Sequence, residues 1–218
     1  MTPVCGRSLT DESWLAARIA DLNASWRTDS MRVGATLWWC MTASALVEPV
    51  VRALARERPI PAPTLDRLAL TLRADGSVER VEIGAAGPEG PLAAGPGPDG
   101  GIAESDIAVA LRETLTAVID HLTVVSGVRE PALWAVVTDV VASWAVDAGR
   151  PAVGRRLADA IGAALPEPRF VEVDGRTFVR RASCCLVYEA PGCEKCVSCP
   201  KRRPAEREAL LADYARRG

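Results

Sequence analysis

Residues 169–200 read RFVEVDGRTFVRRASCCLVYEAPGCEKCVSCP, and this stretch decides how the rest of the chain is to be understood. Arg169 to Val173, the Asp174-Gly175 pair and Arg176 to Arg180 predict an antiparallel hairpin, because an Asp-Gly pair accepts the positive φ angles of a tight hairpin turn. The outgoing strand delivers the chain directly to Cys184. Five of the seven cysteines then fall within sixteen residues. In a chain with one histidine, that density points to a thiolate-bound metal centre. Four of the five form a compact pattern: Cys184-Cys185, ten residues, then Cys196-x-x-Cys199. Four thiolates suffice for a [2Fe-2S] cluster or a tetrahedral zinc.

Outward from this segment the chain reads as mainly helical. Trp14 to Asn23 and Met31 to Arg56 have helical spacing, with Leu37, Met41, Ala45 and Leu46 on one side, and Pro59, Pro61 and Pro63 stop the longer run. From Leu68 the period changes to two through Leu70 and Leu72. An Asp75-Gly76 turn and a return through Val78, Val81 and Ile83 complete a first hairpin. Residues 84–101 hold seven glycines and four prolines, which predicts an exposed loop. Ile107, Leu111, Leu115, Val118, Ile119 and Leu122 recur at three and four residues, with Ser105 as the expected cap and Asp106 in the first turn. Pro131 opens a helix through Leu133, Trp134, Val137, Val140, Val141 and Trp144, closed by Gly149. Pro151 opens another, expected from Val153 to Leu165, and Pro204 a terminal one with its acids early and its arginines late.

The expected fold class is therefore α+β, mainly helical, with two small antiparallel hairpins and a C-terminal cysteine-rich lobe. The expected division is a helical domain over residues 1–175 and a lobe with its terminal helix over residues 176–218. At 218 residues and 49 % hydrophobic, the chain can bury a substantial core. Met1 to Glu12 shows no basic segment followed by an apolar run, and the longest uncharged stretch, Val33 to Val47, is shorter than the roughly 20 apolar residues of a bilayer span. A cytoplasmic location is expected, at most peripheral to the inner membrane. In such a reducing compartment clustered cysteines are metal ligands or redox groups before they are disulfides.

The net charge of −2 is unevenly spread. Arg176 to Arg203 carries seven basic and two acidic residues, an excess of five, while 204–218 is neutral and 1–175 carries −7. Soft sulfur donors suit iron in both oxidation states, and the Cys196-x-x-Cys199 loop is short enough to place two sulfurs on one metal. Neighbouring side chains of an extended segment point to opposite sides, so Cys184 and Cys185 converge on one site only in a tight turn. Zinc ribbons avoid this by spacing both pairs as Cys-x-x-Cys. Spacing alone leaves iron–sulfur, zinc and uncoordinated or oxidised thiols open.

The run Arg181-Ala182-Ser183-Cys184-Cys185-Leu186-Val187-Tyr188, followed by Pro191-Gly192 and Cys196-Val197-Ser198-Cys199-Pro200, resembles the C-terminal signature of the FhuF-type ferric-siderophore reductases. A weaker resemblance extends to the Leu133-Trp134 and Leu37-Trp38 helices. The resemblance implies an oxidoreductase that delivers one electron to siderophore-bound Fe(III) through a [2Fe-2S] cluster, releasing Fe(II) in the cytoplasm. It implies a siderophore of hydroxamate type and maps the four cluster ligands onto Cys184, Cys185, Cys196 and Cys199. Cys193, where the family pattern has a small residue, is expected to be a bystander, and Ala135-Val136 stands where that pattern has Gly-Asn. Rival readings are a zinc-stabilised binding module with a basic lobe, and a siderophore-binding protein without electron transfer.

Reduction frees the metal because hard oxygen donors hold ferric iron far more tightly than ferrous iron. Cations near the cluster favour its reduced state, and Arg180, Arg181, Lys195, Lys201 and Arg202 are the candidates. Residues 95–100 satisfy Gly-x-Gly-x-x-Gly, but two prolines remove amide donors and no clean strand precedes them, so no nucleotide site is expected. The electron donor is then external, a ferredoxin or a separate reductase; nucleic acid is not an expected partner. His121 borders an apolar stripe and reads as a packed or half-exposed side chain. Cys40, Trp38 and Trp39 read as core residues, and Cys5 as incidental in a disordered start.

Overall fold

The computed structural model describes residues 3–84, 103–162 and 165–217. The glycine- and proline-rich loop expected over 84–101, with the Gly-x-Gly-x-x-Gly string, lies outside the described residues apart from Gly84. Among the described residues the α-helices and strands follow one another as β1 (Val4–Cys5), α1 (Glu12–Trp26), α2 (Met31–Ala55), β2 (Leu68–Leu72), β3 (Val78–Ile83), α3 (Glu104–Ser126), α4 (Glu130–Asp147), α5 (Pro151–Ile161), β4 (Phe170–Val173), β5 (Arg176–Val179) and α6 (Pro204–Arg217). The fold is mainly helical α+β, as the periodicities predict.

Helix α2 is the axis of the core. Its apolar residues run nearly all round, the mark of a helix enclosed by others, and Trp38 and Trp39 are fully buried. Each indole still finds an acceptor, as buried Trp N–H groups require. Trp38 Nε1 donates to the Gly76 carbonyl (3.1 Å), fixing the β2–β3 turn on α2, and Trp39 Nε1 donates to the Leu133 carbonyl (2.9 Å), fixing α4. Trp144 Nε1 donates back to the Ser44 carbonyl and hydroxyl (both 3.1 Å), so α2 and α4 are pinned at two points.

Helix starts follow their capping chemistry at α1 and α2. Asp11 accepts from the Ser13 and Trp14 amides (2.9 and 3.1 Å), and the Ser13 hydroxyl and these amides hold its carboxyl below the usual carboxylate range. Ser30 accepts from the Val33 amide (3.3 Å). At α3 the expectation differs: the helix already begins at Glu104, so Ser105 lies inside the first turn and makes no cap, while Glu104 and Asp106 complement the helix dipole. Helix α5 ends at Ile161, short of Leu165, because Gly162 takes φ 104°, outside helical space.

Cys5 is not in a disordered start. Val4 pairs with Leu70 and Cys5 with Ala69, so β1 extends the first hairpin into a three-stranded antiparallel sheet, β1-β2-β3. Two residues carry too little periodicity to announce such a strand. The second hairpin forms as predicted, with Phe170 opposite Val179 and Asp174 and Gly175 at φ 49° and 76°. His121 is half-exposed, its Nδ1 3.4 Å from Glu12 Oε1. Among the described residues no helix is long and apolar enough to cross a membrane.

Helix α5 approaches α4 closely at Gly154, where an added Cβ would lie 2.8 Å from the Ala145 Cβ. Neither atom can rotate away, because both are fixed to helix backbone. Gly154→Ala is expected to lower unfolding free energy by about 1–3 kcal/mol through overpacking, read as a reduced midpoint in urea.

Candidate metal centre

The last rung of the second hairpin is the Arg180 amide donating to the Arg169 carbonyl (2.8 Å). The chain then crosses α4 at Asp139. Its carboxylate accepts from the Ala182 amide (2.8 Å), the Ser183 amide (2.8 Å) and the Ser183 hydroxyl (2.6 Å), and Arg181 Nε lies 3.4 Å away. Asp139 is 4 % exposed, so an acid on the buried face of an apolar helix is wholly taken up in anchoring the residues that precede Cys184. Burial works to lower the Arg181 pKa, but Asp139 together with the Cys40, Cys185 and Cys196 sulfurs outweighs it and raises it above the ordinary arginine value, so the guanidinium stays charged.

After Cys185, Leu186 takes a left-handed conformation (φ 61°) and starts a 3-10 turn over Val187–Glu189. Glu189 is tied to α2 by an ion pair with Arg32. The second cysteine pair sits on its own turn, with the Cys199 amide donating to the Cys196 carbonyl (3.1 Å). Arg202 fastens that turn from outside, donating through Nε to the Cys196 carbonyl (2.9 Å) and through Nη2 to the Lys195 carbonyl. Of the five candidate cations, Arg181 and Arg202 point inward, their side chains 18 % and 16 % exposed. Arg180 and Lys201 are exposed, and Lys195 lies over the Tyr188 ring.

The sulfurs approach one another in twos, and crosswise. Cys184 Sγ lies 3.9 Å from Cys199 Sγ, and the Cys185 thiol is close enough to Cys196 for each to shift the other's pKa. Hydrogen bonding to Cys196, aided by the Val187 amide and Arg181 against the effect of burial, brings Cys185 down to about 5, while the same bond, and then burial, push Cys196 up. Burial also raises Cys184. By proximity, Cys196 and Cys199 each reach a cysteine of the other pair. Opposite pointing of neighbours explains this, because Cys184 and Cys185 face different ways and each meets the sulfur on its own side.

The Cys184–Cys199 spacing fits two thiolates on one metal. Two thiolates at about 2.3 Å on one tetrahedral metal stand about 3.8 Å apart, close to the Cys184–Cys199 separation. Arg181 Nη1 lies 3.7 Å from Cys196 Sγ, close enough to donate to a bound thiolate.

Two neighbours were not visible in the sequence as part of this site. Asp139 carried a signal, a lone acid between Thr138 and Val140 in an apolar run, and such an acid needs a partner. Cys40 carried none. Its thiol is pushed up to about 12 by burial, with Arg181 opposing and Cys185, Asp139 and Cys184 close enough to add to it, which places α2 behind the centre. Cys193 makes only a backbone turn, its amide donating to the Ala190 carbonyl (3.2 Å).

Four free thiols gathered on a lobe against a helical core make a candidate thiolate metal centre. Residues 181–201 match the family model described as FhuF 2Fe-2S C-terminal domain. The match begins at Arg181 and takes in all five clustered cysteines, so this segment is that of a [2Fe-2S] domain, in agreement with the resemblance to the FhuF type. No curated protein matches the chain.

Proposed function

We propose that the protein is a ferric-siderophore reductase, in which Cys184, Cys185, Cys196 and Cys199 would hold a [2Fe-2S] cluster. The observation that carries this reading is the crosswise pairing of the sulfurs with a charged guanidinium on one of them. A cluster bound there supplies single electrons, which is the stoichiometry of turning oxygen-chelated Fe(III) into labile Fe(II). The chain's own residues divide the remaining work. Asp139 fixes Arg181 to Ser183 and so sets where Cys184 and Cys185 begin. Arg202 holds the carbonyls of the Cys196 turn, and Arg181 favours the electron-rich state by donating toward Cys196.

On this reading residues 176–218 form the electron-carrying lobe and residues 1–175 its helical support, in the cytoplasm. The electron comes from an external one-electron donor, a ferredoxin or a separate reductase, and the chelate is of hydroxamate type. Protein purified without oxygen is expected to be red-brown, to bleach on reduction, and to recover colour on mixing with a ferric hydroxamate as a ferrous trap captures iron. A colourless preparation with stoichiometric zinc, or a reduced protein that ferric chelate leaves unoxidised, would overturn the proposal. Cys193→Ser is expected to leave the visible spectrum intact, and loss of colour there would refute the ligand set.

A further inference from the structure

A cleft of about 350 Å³ opens beside the cysteines, between the last turns of α4, strand β5, the Cys196–Cys199 turn and α6. Its inner wall belongs to the metal centre. Arg181 lines it while standing 3.7 Å from Cys196 Sγ, and Ser198, between the two cysteines of the turn, lines it as well. Its outer wall is a cationic and aromatic edge. The Arg176 guanidinium lies over the rings of Phe178 and Tyr214 (5.9 and 5.5 Å), which meet edge to face at 6.1 Å. Tyr214 is 52 % exposed, one of few large apolar side chains left open to solvent among the described residues. The hairpin carboxylate Asp174 is paired with Arg216 (3.2 Å), which leaves the Arg176 charge directed at the cleft.

We infer that this cleft is the docking site of the ferric chelate, which enters flank-on with planar oxygen-donor groups against Arg176, Phe178 and Tyr214. The inference rests on the reductase reading and adds its location and its charge selection. Delocalised chelating groups have flat faces for ring stacking and partly negative oxygens for a guanidinium, the two contacts this edge offers. The volume is near the lower limit of ligand clefts, about 300–1,000 Å³, so one flank is held and the bulk of the chelate stays outside. The charges sum to zero: Arg176 and Arg181 are balanced by Asp147 on the lining and by Asp139 behind Arg181. Such a site accepts a neutral tris-hydroxamate complex and offers a trianionic tris-catecholate complex no net attraction. The external one-electron donor would be the reductant: it would lose one electron, which would pass by the centre at the cysteines and the wall formed by Arg181 and the Cys196 turn to the chelated Fe(III), leaving Fe(II). No bond to the protein forms or breaks.

The test separates binding from turnover by using gallium(III) hydroxamate, a redox-inert stand-in for the ferric complex, titrated calorimetrically into the oxidised full-length protein. Arg176→Gln and Tyr214→Ala are each expected to weaken binding about tenfold, the loss of one charge-assisted or stacking contact. Ser143→Trp, which fills the cleft from α4, is expected to abolish binding. Asp147→Asn is expected to raise the affinity for gallium tris-catecholate relative to the hydroxamate. In all four variants the visible spectrum and the iron and sulfide content per chain should match wild type. Unchanged gallium-chelate binding in the first three variants would overturn the cleft while leaving wild-type ferric reduction, and with it the reductase reading, intact. Variants that bind chelate normally but accept electrons poorly from a one-electron donor protein would equally overturn it, by assigning the cleft to the donor. A wild-type protein that reduces no ferric chelate would instead sink the reductase reading itself.

Discussion

Asp139→Ala is expected to strip the protein of most of its iron and acid-labile sulfide while the helical core remains folded. The carboxylate it removes accepts three hydrogen bonds, from the Ala182 amide and from the Ser183 amide and hydroxyl, and faces Arg181 at 3.4 Å. Breaking one side of a buried ion pair costs about 3–5 kcal/mol, because the partner is left desolvated and unmatched, and the unpaired amides add to it. That sum rivals the whole stability of a typical domain, about 5–15 kcal/mol, yet the strain is local. The chain can relieve it by lifting residues 181–185 from α4 into water, which carries Cys184 away from Cys199 and Cys185 away from Cys196.

The expected readouts are therefore a near-complete loss of visible absorbance per chain, a far-ultraviolet dichroism spectrum close to wild type, and new protease cleavage around residues 181–185. Asp139→Asn should be intermediate. Its single carbonyl oxygen satisfies one amide, but its NH2 group faces donors where the second oxygen accepted. A full complement of iron in Asp139→Ala would show that the cysteines find their arrangement without the clamp.

The elements were legible wherever one force dominated. Ile107, Leu111, Leu115, Val118 and Leu122 keep a helical stripe and are buried along α3 as that stripe demands. The two Asp-Gly pairs announce their hairpins: Asp174 and Gly175 both take positive φ, and at Asp75-Gly76 the glycine alone does. What failed to show were decisions made across the chain. Cys5 joins a sheet only because β2 offers it an open edge. The crosswise thiol pairing depends on where Leu186 turns, a left-handed residue that neither periodicity nor glycine content marks. Cys40 looks like a small apolar residue until Cys184 and Cys185 are laid against α2. Asp139 could have been singled out by asking what partner a buried acid needs, though its partners lie more than 40 residues away. The cysteine pattern itself was the most legible feature, because four sulfurs at that spacing have few uses.

Arg181→Gln is expected to lower the reduction potential of the bound cluster by about 60–130 mV. A hydrogen bond to a charged group is worth about 1.5–3 kcal/mol, and a one-electron couple shifts 59 mV for each tenfold factor, about 1.4 kcal/mol. The sign follows from where the electron goes. Reduction adds negative charge to the thiolate-bound core, the guanidinium 3.7 Å from Cys196 Sγ stabilises that state more than the oxidised one, and glutamine withdraws the stabilisation. The uncompensated Asp139 carboxylate adds a shift of the same sign. Because the Arg181 side chain is only 18 % exposed, the shift should persist in high salt, which would screen a surface lysine such as Lys201. Arg181→Lys separates charge from directed donation: the ammonium can still face Asp139 but loses the fork that reaches both carboxylate and sulfur, so its potential should fall between the two. Spin-resonance potentiometry on anaerobic protein measures all three. Equal potentials in wild type and Arg181→Gln at equal iron content would reduce Arg181 to a structural partner of Asp139, with no share in favouring the electron-rich state.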